Sequence, residues 1–422
     1  MDKIRARPIH VQSNFFYLRQ RFQEWSRGSL LFYPFVFMLG SIVLVMITRQ
    51  VDIYLLVQTD MPRWWMAQAS IGITISSLVA SSVLSFLAIV FSISLVALQL
   101  ANQQYSPRVI SIFEDSNSTK VALSLFIATF VYSFLLLFEV LRTRFEQITI
   151  VSLLTDVVLI FACLIVFIVF MKSIMLMIRV TYIITIIAKN TREAIDDNLP
   201  PEGAYVECQA ISLVQPIQVI RYACPRGTLY SRRYEHGVLK ALDRSALVKI
   251  ASNHKCVFRV LPQYGDYINE GDPIVEVYGE SKVQPEQVLK AVYVAPERGV
   301  NQDPAYGVRM LVDIALQALS PAVNAPTTAH QVIGRLTNLL AFVAQRPPQT
   351  GAFADENNQL RLLQPVRTWE DCVELAFSEI IYYGKDDPQT RQSLTTAFDY
   401  LLENVPEANR PSVEEIKKEL LD

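Results

Sequence analysis

Apolar positions crowd into the first 190 residues of the chain and form four long runs. Each reaches the roughly 20 residues that a bilayer-spanning helix needs. The first run, Ser29 to Thr48, has no charge and carries Pro34 one turn inside. It is too long for the apolar part of a signal peptide, and three more runs follow it. The second lies in a charge-free window from Trp64 to Pro107, with a predicted helix from Ser70 to Leu100. At about 1.5 Å per residue that helix is roughly 45 Å long, so it must tilt, break or project beyond a bilayer. The third runs from Val121 to Val140, with Glu139 at its end. The fourth runs from Ile150 to Met171, with Asp156 inside and Lys172 closing it. Helical periodicity then continues to about Asp197, where Pro200 and Pro201 stop it. That stretch predicts one helix of about 70 Å whose second half stands as a stalk or docks on the membrane face.

From Pro201 onward charges return and the runs shorten. Residues 204–283 read as β: Ala204–Leu213, Ile217–Ala223, Gly237–Asp243 and Cys256–Leu261 are strand-like, with one short helix over Arg244–Ser252. The string Gly265-Asp-Tyr-Ile-Asn-Glu-Gly-Asp-Pro273 repeats a Gly-Asp turn after six residues and resembles half of a lipoyl/biotinyl-type barrel-sandwich module. The flanked hairpin lysine of such carriers is not evident, and Lys240 lacks those flanks, so the module reads as a β adaptor without a cofactor. Beyond Val283 the pattern is helical: Tyr306–Leu319, Thr328–Gln345, Thr368–Tyr383, Asp387–Asn404 and Pro411–Leu421, with a loop over Pro347–Asn358. Thr368 is a predicted N-cap with acids in the first turn after it.

The expected fold is therefore an α-helical membrane domain of four spans joined to an α+β part, a small barrel-sandwich-like β module followed by a helical bundle. The expected segments are a basic N-terminal segment (1–28), the spans (29–171), a helical stalk (172–200), the β module (201–283) and a helical domain (284–422).

Composition agrees with this division. The 422 residues are 51% hydrophobic and only 18% charged, against about 25% in an ordinary soluble protein. Mean hydropathy is +0.27. A net charge of −2 argues against a nucleic-acid partner. Six basic residues precede the first span: Lys3, Arg5, Arg7, Arg19, Arg21 and Arg27. By the positive-inside rule they place the N-terminus in the cytoplasm, and four spans then place the C-terminus there too. Trp64 and Trp65 fit the outer interfacial belt. The expected location is a bacterial inner membrane. Cys163 lies within a span, and Cys208, Cys224, Cys256 and Cys372 are scattered, which suits reduced structural thiols.

Candidate chemistry is sparse. Ser70, Thr74, Ser77, Ser81, Ser85, Ala88, Ser92, Gln99 and Gln103 fall within an arc of about 80° on the second span. Such a stripe either packs helices closely or lines a wet path between copies of the helix. Ser76, Ser82 and Ser94 lie off it. The acids Glu139 and Asp156 are functional candidates because charge at membrane depth is costly; the plainer expectation is pairing with Arg142 or Arg144, or contact with outer water. Asp303, Asp313, Ser320, Asn324 and Thr327 form a possible soluble site near Glu297 and Arg298, although Asn and Thr at a helix break are ordinarily caps. His10, His236, His254 and His330 show no zinc spacing, and no phosphate loop or nucleophile elbow is present. No metal, cofactor or enzymatic activity is expected.

Four strings carry a family resemblance: Phe91-Ser-Ile-Ser-Leu-Val-Ala-Leu-Gln-Leu-Ala-Asn-Gln-Gln-Tyr-Ser-Pro-Arg108, the Gly-Asp-x-Ile-x-x-Gly-Asp-Pro module, Val312-Asp-Ile-Ala-Leu-Gln-Ala-Leu-Ser-Pro321, and the Pro-Thr-Thr-Ala stretch ending at Ala329. Together they resemble the bacterial membrane proteins of the DUF2254 family. The resemblance implies a multi-pass membrane protein and assigns no biochemical activity. In the family pattern an Asp follows the Asn of the fourth string; here Asn324 is followed by Ala325. If that Asp were a ligand in relatives, this chain would lack it. The expected function is a homo-oligomeric channel or transport protein whose second span lines the path; the alternative is a membrane-anchored interaction or sensory scaffold. The expected partners are the lipid bilayer, further copies of the chain, and an ion or cytosolic partner.

Overall fold

The computed structural model describes residues 3–9, 32–58, 66–104, 108, 117–142, 147–201, 205–209, 215–224 and 236–421. The chain divides into two compact units, Arg21–Tyr182 and a second made of Met1–Gln20 with Ile183–Asp422.

Four helices form the first unit: α1 (Phe32–Gln58), α2 (Ala69–Gln104), α3 (Asn117–Arg142) and α4 (Ile150–Met177). All four are long and apolar enough to cross a membrane. The helix α2 runs unbroken for 36 residues, longer at both ends than the Ser70–Leu100 expectation. Strands β2 (Met66–Gln68) and β3 (Gln147–Thr149) pair antiparallel just ahead of α2 and α4. Helix α3 packs against the other three. Its inward positions Ala122, Phe126 and Tyr132 are fully enclosed. Phe126 meets Val83, Cys163 and Phe170 in one core, and Tyr132 meets Val45 and Leu153 in another. The outward Leu, Ile, Val and Phe positions of all four helices remain exposed on the single chain, as lipid-facing surfaces do.

The single helix expected from Ile150 to Asp197 is two. It breaks at Ile178–Arg179, and α5 (Val180–Asn198) begins after it. At the break the Arg179 N–H bonds to Leu176 O at 3.0 Å, an i→i−3 contact in place of i→i−4. No proline or glycine marks the site. Nor does α5 stand as a bare stalk. Ile184, Ile187, Thr191, Ala194 and Ile195 are buried within the second unit. Thr191 lies against Gly307, where any added Cβ collides with it.

The second unit holds a seven-stranded sheet in the order β4-β1-β11-β12-β7-β9-β5 and a three-stranded sheet β10-β6-β8. The strands are β1 (Lys3–Pro8), β4 (Val206–Gln209), β5 (Gln218–Arg221), β6 (Gly237–Leu242), β7 (Cys256–Val260), β8 (Tyr267–Ile268), β9 (Pro273–Gly279), β10 (Val292–Ala295), β11 (Ala352–Ala354) and β12 (Leu360–Leu363). Helices α6 (Arg244–Asn253) and α7 (Pro285–Leu289) join both sheets in one core containing Leu239, Leu247, Phe258, Val275, Val288 and Leu362. The remaining helices are α8 (Pro304–Leu319), α9 (Pro326–Ala344), α10 (Trp369–Gly384), α11 (Pro388–Asn404) and α12 (Arg410–Leu421).

Three expectations change here. The N-terminal segment is no free basic tail, since β1 pairs antiparallel with β4 and parallel with β11. The loop expected over 347–358 contains β11, and the part beyond 283 also supplies β10 and β12, so it is not purely helical. The large sheet also draws three of its seven strands from outside residues 201–283. The part of Ala204–Leu213 beyond Gln209 lies outside the described residues, as do Arg19, Arg21, Arg27, Trp64, Trp65 and Arg144.

Local rules hold well elsewhere. Thr368 caps α10 through a reciprocal capping box with Asp371. The two Gly-Asp turns share one geometry. Gly265 and Gly271 both adopt positive φ. The carboxylates that follow them accept N–H bonds three residues back, Gln263 to Asp266 at 2.8 Å and Asn269 to Asp272 at 2.7 Å. Lys240 sits in the middle of β6, away from any hairpin tip.

Asp355, enclosed beside β11, binds Arg361 Nε at 2.7 Å, Ser252 Oγ at 3.0 Å and the N–H groups of Asn357 and Gln359 at 3.0 Å each. Burial raises this carboxyl, but the bonds from Arg361, Gln359 and Ser252 outweigh it and hold it below the usual carboxylate range. Its stabilisation is complete above about pH 4, the unfolded value, and is lost as pH falls through its lower folded value. Asp355→Ala is expected to cost about 3–5 kcal/mol by leaving Arg361 unpaired. Asp355→Asn should weaken the acid dependence of thermal unfolding, and melting curves across pH 2–6 (about two units either side of an ordinary carboxyl group) check this.

Candidate functional site

Three groups of residues carry possible chemistry. The stripe on α2 faces outward from its bundle. Ser70, Thr74, Ser77, Ser81, Ser85, Ala88, Ser92 and Gln99 are all exposed on the single chain. The side chain of Gln103 lies outside the described residues. The face packed against the other spans is a different one: Ser76, Val79, Ala80, Val83, Val90 and Ala97. Packing against the other described spans therefore does not account for the stripe. Its hydroxyls bond to their own helix, Thr74 to Ser70 O at 2.8 Å, Ser77 to Thr74 O at 3.0 Å, Ser81 to Leu78 O at 3.0 Å and Ser85 to Ser81 O at 3.0 Å. Such back-bonding satisfies a hydroxyl without water and leaves a smooth, small-residue surface.

The second group is a polar seam inside the four-helix unit. Asp156 on α4 is fully buried and does not lie at the bundle surface. Ser133 Oγ donates to its Oδ1 at 2.5 Å. Its Oδ2 and the buried Ser76 Oγ have no hydrogen-bond partner among the described residues. One turn earlier on α4, Ser152 donates to Asp52 of α1. Tyr132 OH meets Thr48 Oγ1 at 3.2 Å and donates to Ser152 O at 3.1 Å. Glu139 pairs with Arg49 of α1; the Arg142 side chain and Arg144, the partners expected for it, lie outside the described residues. Asp52 was missed because the first span was ended at Thr48; the apolar run through Val51, Ile53, Tyr54, Leu55 and Leu56 is the signal that it continues.

The third group is the cluster expected between Asp303 and Thr327, and the structure separates it. Asp303 is the N-cap and Ser320 the C-cap of α8. Sixteen helical residues part them, about 24 Å at ~1.5 Å per residue. Asp313 pairs with Arg309 at 2.9 Å, and Arg309 also binds Glu379. Ser320 to Ala325 is the connector from α8 to α9. Asn324 takes a left-handed conformation (φ 45°), and its N–H bonds to Ser320 O at 2.9 Å. Ala325 is the N-cap of α9 and offers no side-chain bond, while Thr327 lies inside the helix. An Asp at position 325 would thus stand where an N-cap stands.

Asp303 instead borders a cleft of about 130 Å³. Leu199, Val308, Leu339, Leu340, Val343 and Leu375 form its apolar wall. Arg244, Gln302, Gln364 and Arg367 stand with Asp303 at its polar side. Arg298 holds Asp303 through two bonds, at 3.1 and 2.6 Å. Burial raises the Asp303 carboxyl, against the opposing pull of Arg298 and Arg367. Burial also pushes the Cys372 thiol on the same wall up to about 11, which leaves it un-ionised and a poor nucleophile at neutral pH. Among the described residues no group of three or more His, Cys, Asp or Glu is placed to hold a metal ion.

Two outcomes are expected from these geometries. Ser133→Ala, which strips Asp156 of its donor, should lower stability by about 1–3 kcal/mol in detergent melts, and adding Asp156→Leu should recover most of that loss. Ala325→Asp should raise stability by about 0.5–2 kcal/mol through the new cap, which chemical denaturation measures.

Comparison with known proteins places these features in a family. An uncharacterised protein of Mycobacterium tuberculosis (Rv1290c) and one of Mycobacterium bovis (Mb1321c) are each 25% identical over 341 residues, covering 79% of this chain and 64% of theirs. The chain thus spans under two thirds of the length of these curated relatives. No solved structure matches it. The family model described as predicted membrane protein (DUF2254) matches residues 27–400, so the chain belongs to the DUF2254 family of membrane proteins.

Proposed function

We propose that the protein is a homo-oligomeric channel or transport protein of a bacterial inner membrane, with α2 lining the path and the soluble unit regulating it. The observation that carries this reading is the outward exposure of the α2 stripe. A small-residue face turned away from its own bundle suits close approach of a second copy of the same helix. Around a symmetry axis the same face supplies hydroxyls to a wet path.

The reading takes both termini as cytoplasmic. Two facts support it. Lys3, Arg5 and Arg7 lie ahead of the first span. Strand β1, before the spans, hydrogen-bonds to β4 and β11, after them, and strands cannot pair through a bilayer, so the number of crossings between them is even. The β part is read as a barrel-sandwich-like adaptor on the strength of its paired Gly-Asp turns. No catalytic role is assigned to the chain.

The test replaces Ser81 and Ser85 with Leu and follows two signals, ion flux in proteoliposomes and cross-linked oligomer size. A channel is expected to lose flux while still assembling. Wild-type protein that assembles but passes no ion identifies the scaffold reading instead.

A further inference from the structure

The cleft between α5, α8, α9 and α10 lies wholly within the second unit and has no part in the stripe. Its charge balance is uneven. Two guanidinium groups line it, Arg244 and Arg367, against the carboxylate of Asp303. That carboxylate is already gripped by Arg298. Among the described residues neither Arg244 nor Arg367 forms an ion pair with a carboxylate. Arg244 donates to neutral acceptors only, Gln364 Oε1 at 3.1 Å and Asn198 Oδ1 at 3.2 Å. Its guanidinium is held over the Phe353 ring at 5.0 Å, so its position is fixed before any ligand arrives. A guanidinium carries five N–H donors, so Arg244 keeps spare ones. The first turn of α8, Pro304 and Ala305, borders the same cleft and adds the positive end of a 16-residue helix. Arg7 on β1 donates to the carbonyls of Asp197 and Asn198, and Arg244 lies near enough to repel its charge.

The opposite wall is hydrocarbon: Val308 of α8, Leu339, Leu340 and Val343 of α9, and Leu375 of α10. At about 130 Å³ the cleft approaches the ~150 Å³ that admits a benzene ring in apolar cavities. A bare inorganic anion would leave that wall uncovered, and a nucleotide exceeds the space.

We propose that this cleft is a binding site for a small amphipathic monoanion, a carboxylate on a hydrocarbon body about the size of a benzene ring. The carboxylate lies between Arg244 and Arg367, and the hydrocarbon packs on Val308, Leu340 and Leu375. The site joins four helices and the segment carrying Gln364, so its occupancy bears on how tightly they hold together. The proposal does not depend on what the membrane unit conducts.

The experiment is isothermal titration of the full-length protein in nanodiscs with benzoate, and with benzamide as its neutral isostere. Saturable benzoate binding is expected, with benzamide at least about tenfold weaker, the loss of roughly one charge-assisted contact. Arg367→Gln should weaken benzoate by a similar factor and leave benzamide unchanged. Arg367 makes no hydrogen bond to a described residue, so this variant breaks no bond and removes only its charge and its longer-range pull on Asp303, which stays held by Arg298. Arg244→Gln should act likewise, and Leu340→Trp should block both probes. Equal affinity for acid and amide, absence of saturable benzoate binding, or an Arg367→Gln variant that melts and binds benzoate as the wild type does, each overturns the proposal.

Discussion

The hydrogen bonds on either edge of β1 are the constraint on which the architecture turns. Ile4 and Ala6 face Cys208 and Val206 across one edge, and Arg7 and Pro8 face Phe353 and Ala354 across the other. Without β1, β4 has no neighbour and β11 loses one side. Further bonds reinforce the strand: Thr350 Oγ1 donates to Arg5 O at 2.6 Å, and Ile9 N–H reaches Ala354 O at 3.0 Å. The first residues of the chain are thereby part of the same folded body as the last third. The four-helix unit is an insertion within that body and not a domain placed ahead of it.

The two units solve opposite solvent problems. The second unit encloses its apolar side chains and resolves buried charges into pairs, as at Asp355 with Arg361 and Asp303 with Arg298. The four-helix unit turns Leu, Ile and Phe outward, together with the α2 stripe, and keeps Thr48, Ser133, Ser152, Asp52 and Asp156 inside. Polar groups between spans bind helices where hydrophobic burial cannot, because lipid is as apolar as the helices themselves. The seam from Thr48 through Tyr132 and Ser152 to Asp156 joins α1, α3 and α4 in this way.

What the sequence shows directly is whatever obeys a local period. The spans follow from apolar run length, α8 to α12 from 3.6-residue periodicity, and the α10 cap from Thr368 and Asp371. The Gly-Asp turns follow from composition alone. What it hides is long-range. Strand β11 is three residues long and is a strand only because β1 and β12 flank it. The burial of α5 against α8 depends on Gly307 meeting Thr191, more than a hundred residues away. A stripe of serines reads the same whether it faces inward or outward, so the exposure of Ser77 and Ser81 needed coordinates. Strand β1 left a trace that was legible: Lys3-Ile-Arg-Ala-Arg-Pro8 alternates basic and apolar residues with a period of two.

That alternation has a consequence for biogenesis. Strand β1 leaves the ribosome some 340 residues before Ala352–Ala354 exists to pair with it, which at ~5–20 residues per second is a delay of about 20–70 s. While the four apolar helices are made the strand waits with both edges open, and after Val206–Gln209 appears one edge still lacks its partner. Such an edge invites pairing with another nascent chain. Lys3, Arg5 and Arg7, at every second position, oppose that encounter by repulsion between copies. The same basic residues that precede the first span therefore also act as guards on a strand whose partners arrive only after all four spans.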